Sequence, residues 1–232
     1  MCNHPIPRIV GNDDYNERVN TLLSLVNADL QTERQNKRRF LRRGVAQYLF
    51  IRSKYNEGIL DEEFWSVFKS FYKMNQYLYI VNMDHFMALL RPGNVLPSIG
   101  DAMTDIINTD LPPERQTADL SYASKAFHTV NNNLPIYDSR VKSFFRLPGR
   151  DGNNVHERIL NAVGCYERLC RIYDNRGANG LDRLLDEYAR LMGVQMEPES
   201  LQWRDRRFTL NDAMRISAVK KIDFMIWTYW RL

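Results

Sequence analysis

Apolar residues recur at three- and four-residue steps along nearly the whole chain, a period that admits few folds besides an array of amphipathic helices. Val19, Leu22, Leu23, Val26 and Leu30 set one such face on residues 13–31, and Phe40, Leu41, Val45, Tyr48 and Leu49 set another across 33–55. Asp61 precedes Glu62 and Glu63, acids suited to a helix start, and Phe64, Trp65, Phe68, Phe71 and Tyr72 mark the buried face that follows. Further helices are predicted at 99–108, 120–130, 139–147, 154–175, 180–192 and 211–230. The stretches Arg91-Pro92-Gly93, Leu111-Pro112-Pro113, Gly149-Arg150-Asp151-Gly152 and Gly177-Ala178-Asn179-Gly180 break them. Residues 75–90 read two ways: Tyr77-Leu78-Tyr79-Ile80-Val81 has strand propensity, while its flanks favour a buried helix. There is no βαβ alternation and no repeat of fixed period. The expectation is an all-α fold, a single domain over 1–232 with about nine to ten helices, since no long polar linker divides the chain.

Composition narrows the function classes. The 232 residues are 44% hydrophobic and 26% charged, a globular balance. No apolar run approaches the roughly 18 residues of a membrane span, so neither an integral membrane protein nor a membrane partner is expected. The start, MCNHPIPRIVGNDD, has no basic n-region followed by an apolar stretch, and the expected location is cytoplasmic. Cys2, Cys165 and Cys170 form no CxxC pair, and the last two lie about 140° apart on a helix, which argues against a disulfide framework, a zinc finger or an iron–sulfur site. His4, His85, His128 and His156 are scattered without HExxH spacing, and P-loop, GxGxxG and GxSxG motifs are missing. Neither a metal nor another cofactor is expected.

Of the 32 basic residues 24 are arginine, whose planar fork suits phosphate. Arg34, Arg38 and Arg42 stand four apart, with Arg39 and Arg43 as a second row, so a helix carries them as one broad positive stripe. Two readings stay open. The stripe is a phosphate-tracking surface whose binding weakens with salt, or a solvated face paired with acids such as Glu17 or Glu33.

A second segment runs Tyr122-Ala123-Ser124-Lys125-Ala126-Phe127-His128-Thr129-Val130, then Leu134-Pro135-Ile136-Tyr137-Asp138-Ser139-Arg140-Val141. The first half is helical with Lys125 in its first two turns, and Asn131-Asn132-Asn133 ends it. Pro135 favours an extended approach and Asp138 is placed to cap the next helix. A lysine amine and a carboxylate thus stand at consecutive helix starts, 13 residues apart, where a short helix–loop–helix brings both to one cleft. On pattern alone a solvated lysine and an ordinary N-cap are the favoured reading.

Ala123-Ser124-Lys125 followed by Pro135-Ile136-Tyr137-Asp138-Ser139-Arg140-Val141 resembles the lysine and aspartate segment of helix-hairpin-helix DNA glycosylases. It is closer still to the divergent oxoguanine-glycosylase-like proteins of bacteria and phages. Lys221-Ile222-Asp223-Phe224-Met225-Ile226-Trp227 is similar to the closing helix of those relatives. The resemblance covers 110–147 and 215–230. It implies base excision from double-stranded DNA with the target base flipped out. Lys125 aligns with the family nucleophile, which forms a Schiff base and nicks the strand by β-elimination, and Asp138 with the essential carboxylate. Arg140 and the arginine stripe would contact phosphates, and Tyr122, Ser124, His128 and Tyr137 are pocket candidates. Two departures stand: residues 117–124 contain no glycine to expose backbone N–H groups to phosphate, and the lysine-to-aspartate spacing is short. The alternative is a non-catalytic helical module that keeps the fold and binds nucleic acid or a protein.

The nucleophile reading carries a physical demand. A lysine with pKa near 10.4 is neutral roughly 0.04% of the time at pH 7, and freeing the amine costs about 4.6 kcal/mol unless burial or a nearby cation lowers that value. Arg140 is one such cation, while Asp138 alone favours the charged amine. Trp227, Tyr229 and Trp230, with Phe224, are expected to close the core.

Overall fold

The computed structural model describes residues 12–31, 36–74, 81–112, 116, 119–149, 151–193 and 201–230, without the side chains of 12–14 and 36. Arg34, Cys2, His4 and the run Tyr77–Ile80 lie outside them. Among the described residues the chain is all-α apart from one small hairpin. Its helices are α1 (Asn12–Leu30), α2 (Asn36–Asn56), α3 (Glu62–Phe71), α4 (Met83–Leu89), α5 (Ile99–Asp105), α6 (Leu120–Val130), α7 (Ser139–Phe145), α8 (Val155–Asp174), α9 (Asp182–Gly193), α10 (Leu210–Met214) and α11 (Ala218–Tyr229).

Most helix starts follow from a side chain that accepts an otherwise unpaired backbone N–H. Asp61 accepts from Phe64 at 2.8 Å, Asp119 from Tyr122 at 3.0 Å and Asp138 from Val141 at 2.8 Å. Of the ambiguous stretch, the described part is the helical one, α4, capped by Asn82. Val81 forms a lone antiparallel bridge with Ile107.

Two expectations need correction. The run expected as one helix at 211–230 is two. Thr209 and Asp212 close a reciprocal capping box that starts α10, and Ser217 caps α11 by accepting from the Lys220 amide at 3.3 Å. Apolar periodicity continues through Ile216 and hides the break. The hairpin of β1 (Leu201–Trp203) and β2 (Arg206–Phe208) was not anticipated. Leu201 pairs with Phe208 and Trp203 with Arg206, around a turn where Arg204 takes φ 56°. Strands of three residues are too short for alternation to declare itself.

One continuous hydrophobic cluster runs through residues of α1–α11. The closing helix α11 is its axis, packed against α1, α2, α7 and α9, while α5 lies on α6 and α8. Arg18 of α1 is buried and donates to the carbonyls of Ser143, at 2.8 Å, and Phe144, so the last turn of α7 is tied to another helix. That end turns at Arg146, in the left-handed region with φ 46°. No helix among the described residues is long and apolar enough to cross a membrane.

Candidate active-site cleft

The starts of α6 and α7 meet at a cleft of about 790 Å³ enclosed by α2, the end of α3 and α11. Tyr122 and Lys125 come from α6, Tyr137, Asp138 and Arg140 from the turn into α7, and Arg43 from α2. Phe71, Tyr72, Phe224 and Trp227 form an aromatic wall. A ligand pocket is commonly about 300–1,000 Å³ with a few polar groups on apolar walls, and this cleft has that character.

The two helix starts are tied together from within. Ser124 Oγ accepts the Tyr137 amide at 3.0 Å, and the Tyr122 hydroxyl donates to the Met74 carbonyl at 3.1 Å. Thr129 donates to the Lys125 carbonyl at 2.8 Å, which steadies the turn of α6 that carries the amine.

Lys125 is 7% exposed, and among the described residues no hydrogen bond or ion pair holds its ammonium. Its Nζ lies over the Tyr122 ring, 5.4 Å from the centroid. Burial lowers the pKa of Lys125, with the charges of Asp119 and Asp138 opposing the change. Burial is therefore what meets the demand for a freer amine, and Arg140 is not among the causes. Asp138 moves the other way: burial raises its pKa, while the amide of Val141 and the ammonium groups of Lys125 and Lys220 draw it back down.

The remaining predicted residues divide. Ser124 and His128 are fully buried and do not line the cleft. His128 Nδ1 donates to the Leu134 carbonyl at 2.7 Å, which leaves Nε2 to accept from the Tyr48 hydroxyl at 3.0 Å. Burial holds its pKa well below the usual histidine range, so the ring is a neutral strut between α6, its following loop and α2. In the arginine stripe, Arg39 and Arg43 are exposed, whereas Arg38 and Arg42 are half-buried and engaged within the fold. Of the stripe's described residues Arg43 alone lines the cleft, its guanidinium 5.4 Å from the Trp203 ring centroid. No cluster of three or more metal-ligating side chains occurs among the described residues.

Sequence reasoning missed a second charged pair beneath the wall. Lys220 and Asp223 of α11 are both fully buried. Burial pulls Lys220 down to about 7 and pushes Asp223 up to about 7, and the Tyr173 hydroxyl donates to Asp223. The signal was available: a lysine and an aspartate three apart on an otherwise apolar helix share its buried face. Asp119 also went unremarked, as the cap of α6 that shares the cleft with Asp138.

Compared with protein-family models, curated proteins and solved structures, the chain has no match.

Proposed function

We propose that the protein is a DNA-binding base-excision enzyme, a glycosylase with lyase activity, and that Lys125 and Asp138 carry its chemistry. One observation supports this most: residues 13 apart in sequence open onto a single cleft, where the amine is desolvated and makes no hydrogen bond or ion pair among the described residues.

In this reading the neutral Lys125 amine attacks the anomeric carbon of the target nucleotide. The bond from that carbon to the base breaks, and the departing base keeps the electron pair and takes up a proton. The aminal then opens to a Schiff base as the ring oxygen is protonated. Loss of a proton from the adjacent sugar carbon expels the 3′ phosphate and nicks the strand. Asp138, anchored by its cap bond to Val141, stabilises the positive charge that builds on the sugar as the base departs. The aromatic wall receives the extruded base, and Arg43 and Arg140 lie at the same opening to hold phosphates.

The test is to incubate the protein with DNA containing an abasic site and add borohydride. A covalent adduct lost in Lys125→Ala supports the reading. An adduct that persists in the variant moves the nucleophile elsewhere, and DNA binding without any adduct replaces the enzyme with a binding module.

A further inference from the structure

The ammonium of Lys220 is wholly enclosed and meets no hydrogen-bond partner among the described residues. Aromatic rings surround it instead. Their centroids stand at 3.7 Å for Trp227, 5.1 Å for both Phe71 and Phe224, 5.2 Å for Tyr48 and 5.3 Å for Tyr72. The faces of aromatic rings are electron-rich, so the cage holds a cation that no hydrogen bond among the described residues satisfies. Phe71, Tyr72, Phe224 and Trp227 also line the cleft. Four of the rings that hold the ammonium therefore also form the wall of the cleft, while Lys220 itself does not line it.

We propose that Lys220 sets the charge specificity of the cleft, which accepts uncharged or electron-rich planar rings against its aromatic wall and rejects cationic ones. A cation against a ring withdraws electron density from it, leaving less to attract a second cation, and the two like charges repel across the ring. The lining acts in the same direction: among the described residues Arg43, Lys73, Lys125, Arg140 and Lys142 outnumber its two acids, Asp119 and Asp138. This rests on the reading that the cleft receives a base, and it narrows the substrate to uncharged modified bases over ring-alkylated, positively charged ones.

The discrimination follows pH. Burial lowers the Lys220 pKa to about 7, so its charge is present below neutrality and fades above it. The other groups disposed around it are Asp223 on its own helix, Lys125 and His128 on α6 and Asp138 at the cap of α7. Tyr48 and Arg52 stand on α2, Tyr72 at the end of α3, and Tyr173 reaches it through Asp223. Asp223 and Asp138 favour its charged form and Lys125 opposes it.

Quinoline and N-methylquinolinium, an uncharged and a permanently cationic bicycle of nearly equal size, test this by calorimetric titration of the whole protein at pH 6 and pH 8.5. The wild type is expected to bind quinoline about tenfold more tightly than the cation at pH 6, with a smaller ratio at pH 8.5. Lys220→Met should remove most of the ratio at both values. Lys220→Arg, charged throughout, should keep it at pH 8.5 as well. Equal binding of the two rings by the wild type at pH 6, or no binding of either, overturns the assignment, as does a Lys220→Met variant that still discriminates. If Lys220→Met fails to fold, the wild-type pH comparison and Lys220→Arg decide alone. A protein that discriminates the rings yet forms no adduct with abasic DNA keeps the Lys220 assignment and loses the glycosylase reading. One that forms the adduct without discriminating does the reverse.

Discussion

Ser124 Oγ accepts a hydrogen bond from the Tyr137 amide at 3.0 Å, so the helix that carries Lys125 is pinned to the segment that carries Asp138. The bond is buried at both ends. Ser124→Ala leaves that amide unpaired and is expected to destabilise the fold by about 1–3 kcal/mol. Urea unfolding measures this directly. A midpoint equal to the wild type would mean the two segments are held together by other contacts.

Asp138 both caps α7 and lines the cleft, and two substitutions separate the roles. Asn is as good an N-cap as Asp, so Asp138→Asn should keep stability within about 0.5 kcal/mol of the wild type, while Asp138→Ala loses on the order of 1 kcal/mol. Both should slow borohydride trapping alike, because both remove the carboxylate. Trapping retained in Asp138→Asn would confine the residue to its cap.

Stability should depend on Lys220 with a definite sign. In the unfolded chain this amine keeps its proton up to the ordinary lysine range near 10.5, whereas in the folded protein it releases the proton near 7. Between those values the unfolded state binds more protons, so this group's contribution to stability rises with pH across that window and is lowest below it. Lys220→Met should therefore stabilise the protein at pH 6, by on the order of 2–4 kcal/mol, and the gain should shrink toward pH 10. Thermal unfolding of both proteins across that range tests it; a gain independent of pH would sink the explanation.

Gly44 sits mid-helix in α2 beside the cleft, where an added Cβ would meet Phe224 Cε1 at 3.5 Å, an ordinary contact. Gly44→Ala should raise stability by about 1 kcal/mol through helix propensity alone. A drop in melting temperature would show that Phe224 has no room to accept the methyl group.

The arginine stripe predicts an uneven result. Arg39→Gln and Arg43→Gln should each weaken DNA binding uniformly across sequences and lower the salt slope by about one. Arg38 and Arg42 are engaged inside the fold, so their replacement should act first on unfolding. Fluorescence anisotropy at several salt concentrations, alongside unfolding curves, distinguishes the two classes.

Much of this was legible in the sequence because helices announce themselves locally. The bounds of α6 match the expected 120–130, and Asp138 caps α7 where Pro135 and the following polar residues point. What was not legible depends on partners distant in the chain. His128 sits one turn from Lys125 on the same helix, yet Tyr48 and Leu134 claim both its nitrogens and turn it away from the cleft. The i, i+3 spacing of Lys220 and Asp223 marks a shared face, but the rings of Tyr48, Phe71 and Tyr72 that enclose the ammonium come from α2 and the end of α3. Spacing within a segment cannot report that enclosure.

The dependence of the cleft on α11 sets its timing during synthesis. Lys125 and Asp138 emerge from the ribosome well before Phe224 and Trp227, which supply part of the wall. A nascent chain lacking those residues has the amine and the carboxylate but not the aromatic wall beside them. Undocking that one helix from the finished protein has the same effect, so the cleft exists only while α11 stays seated.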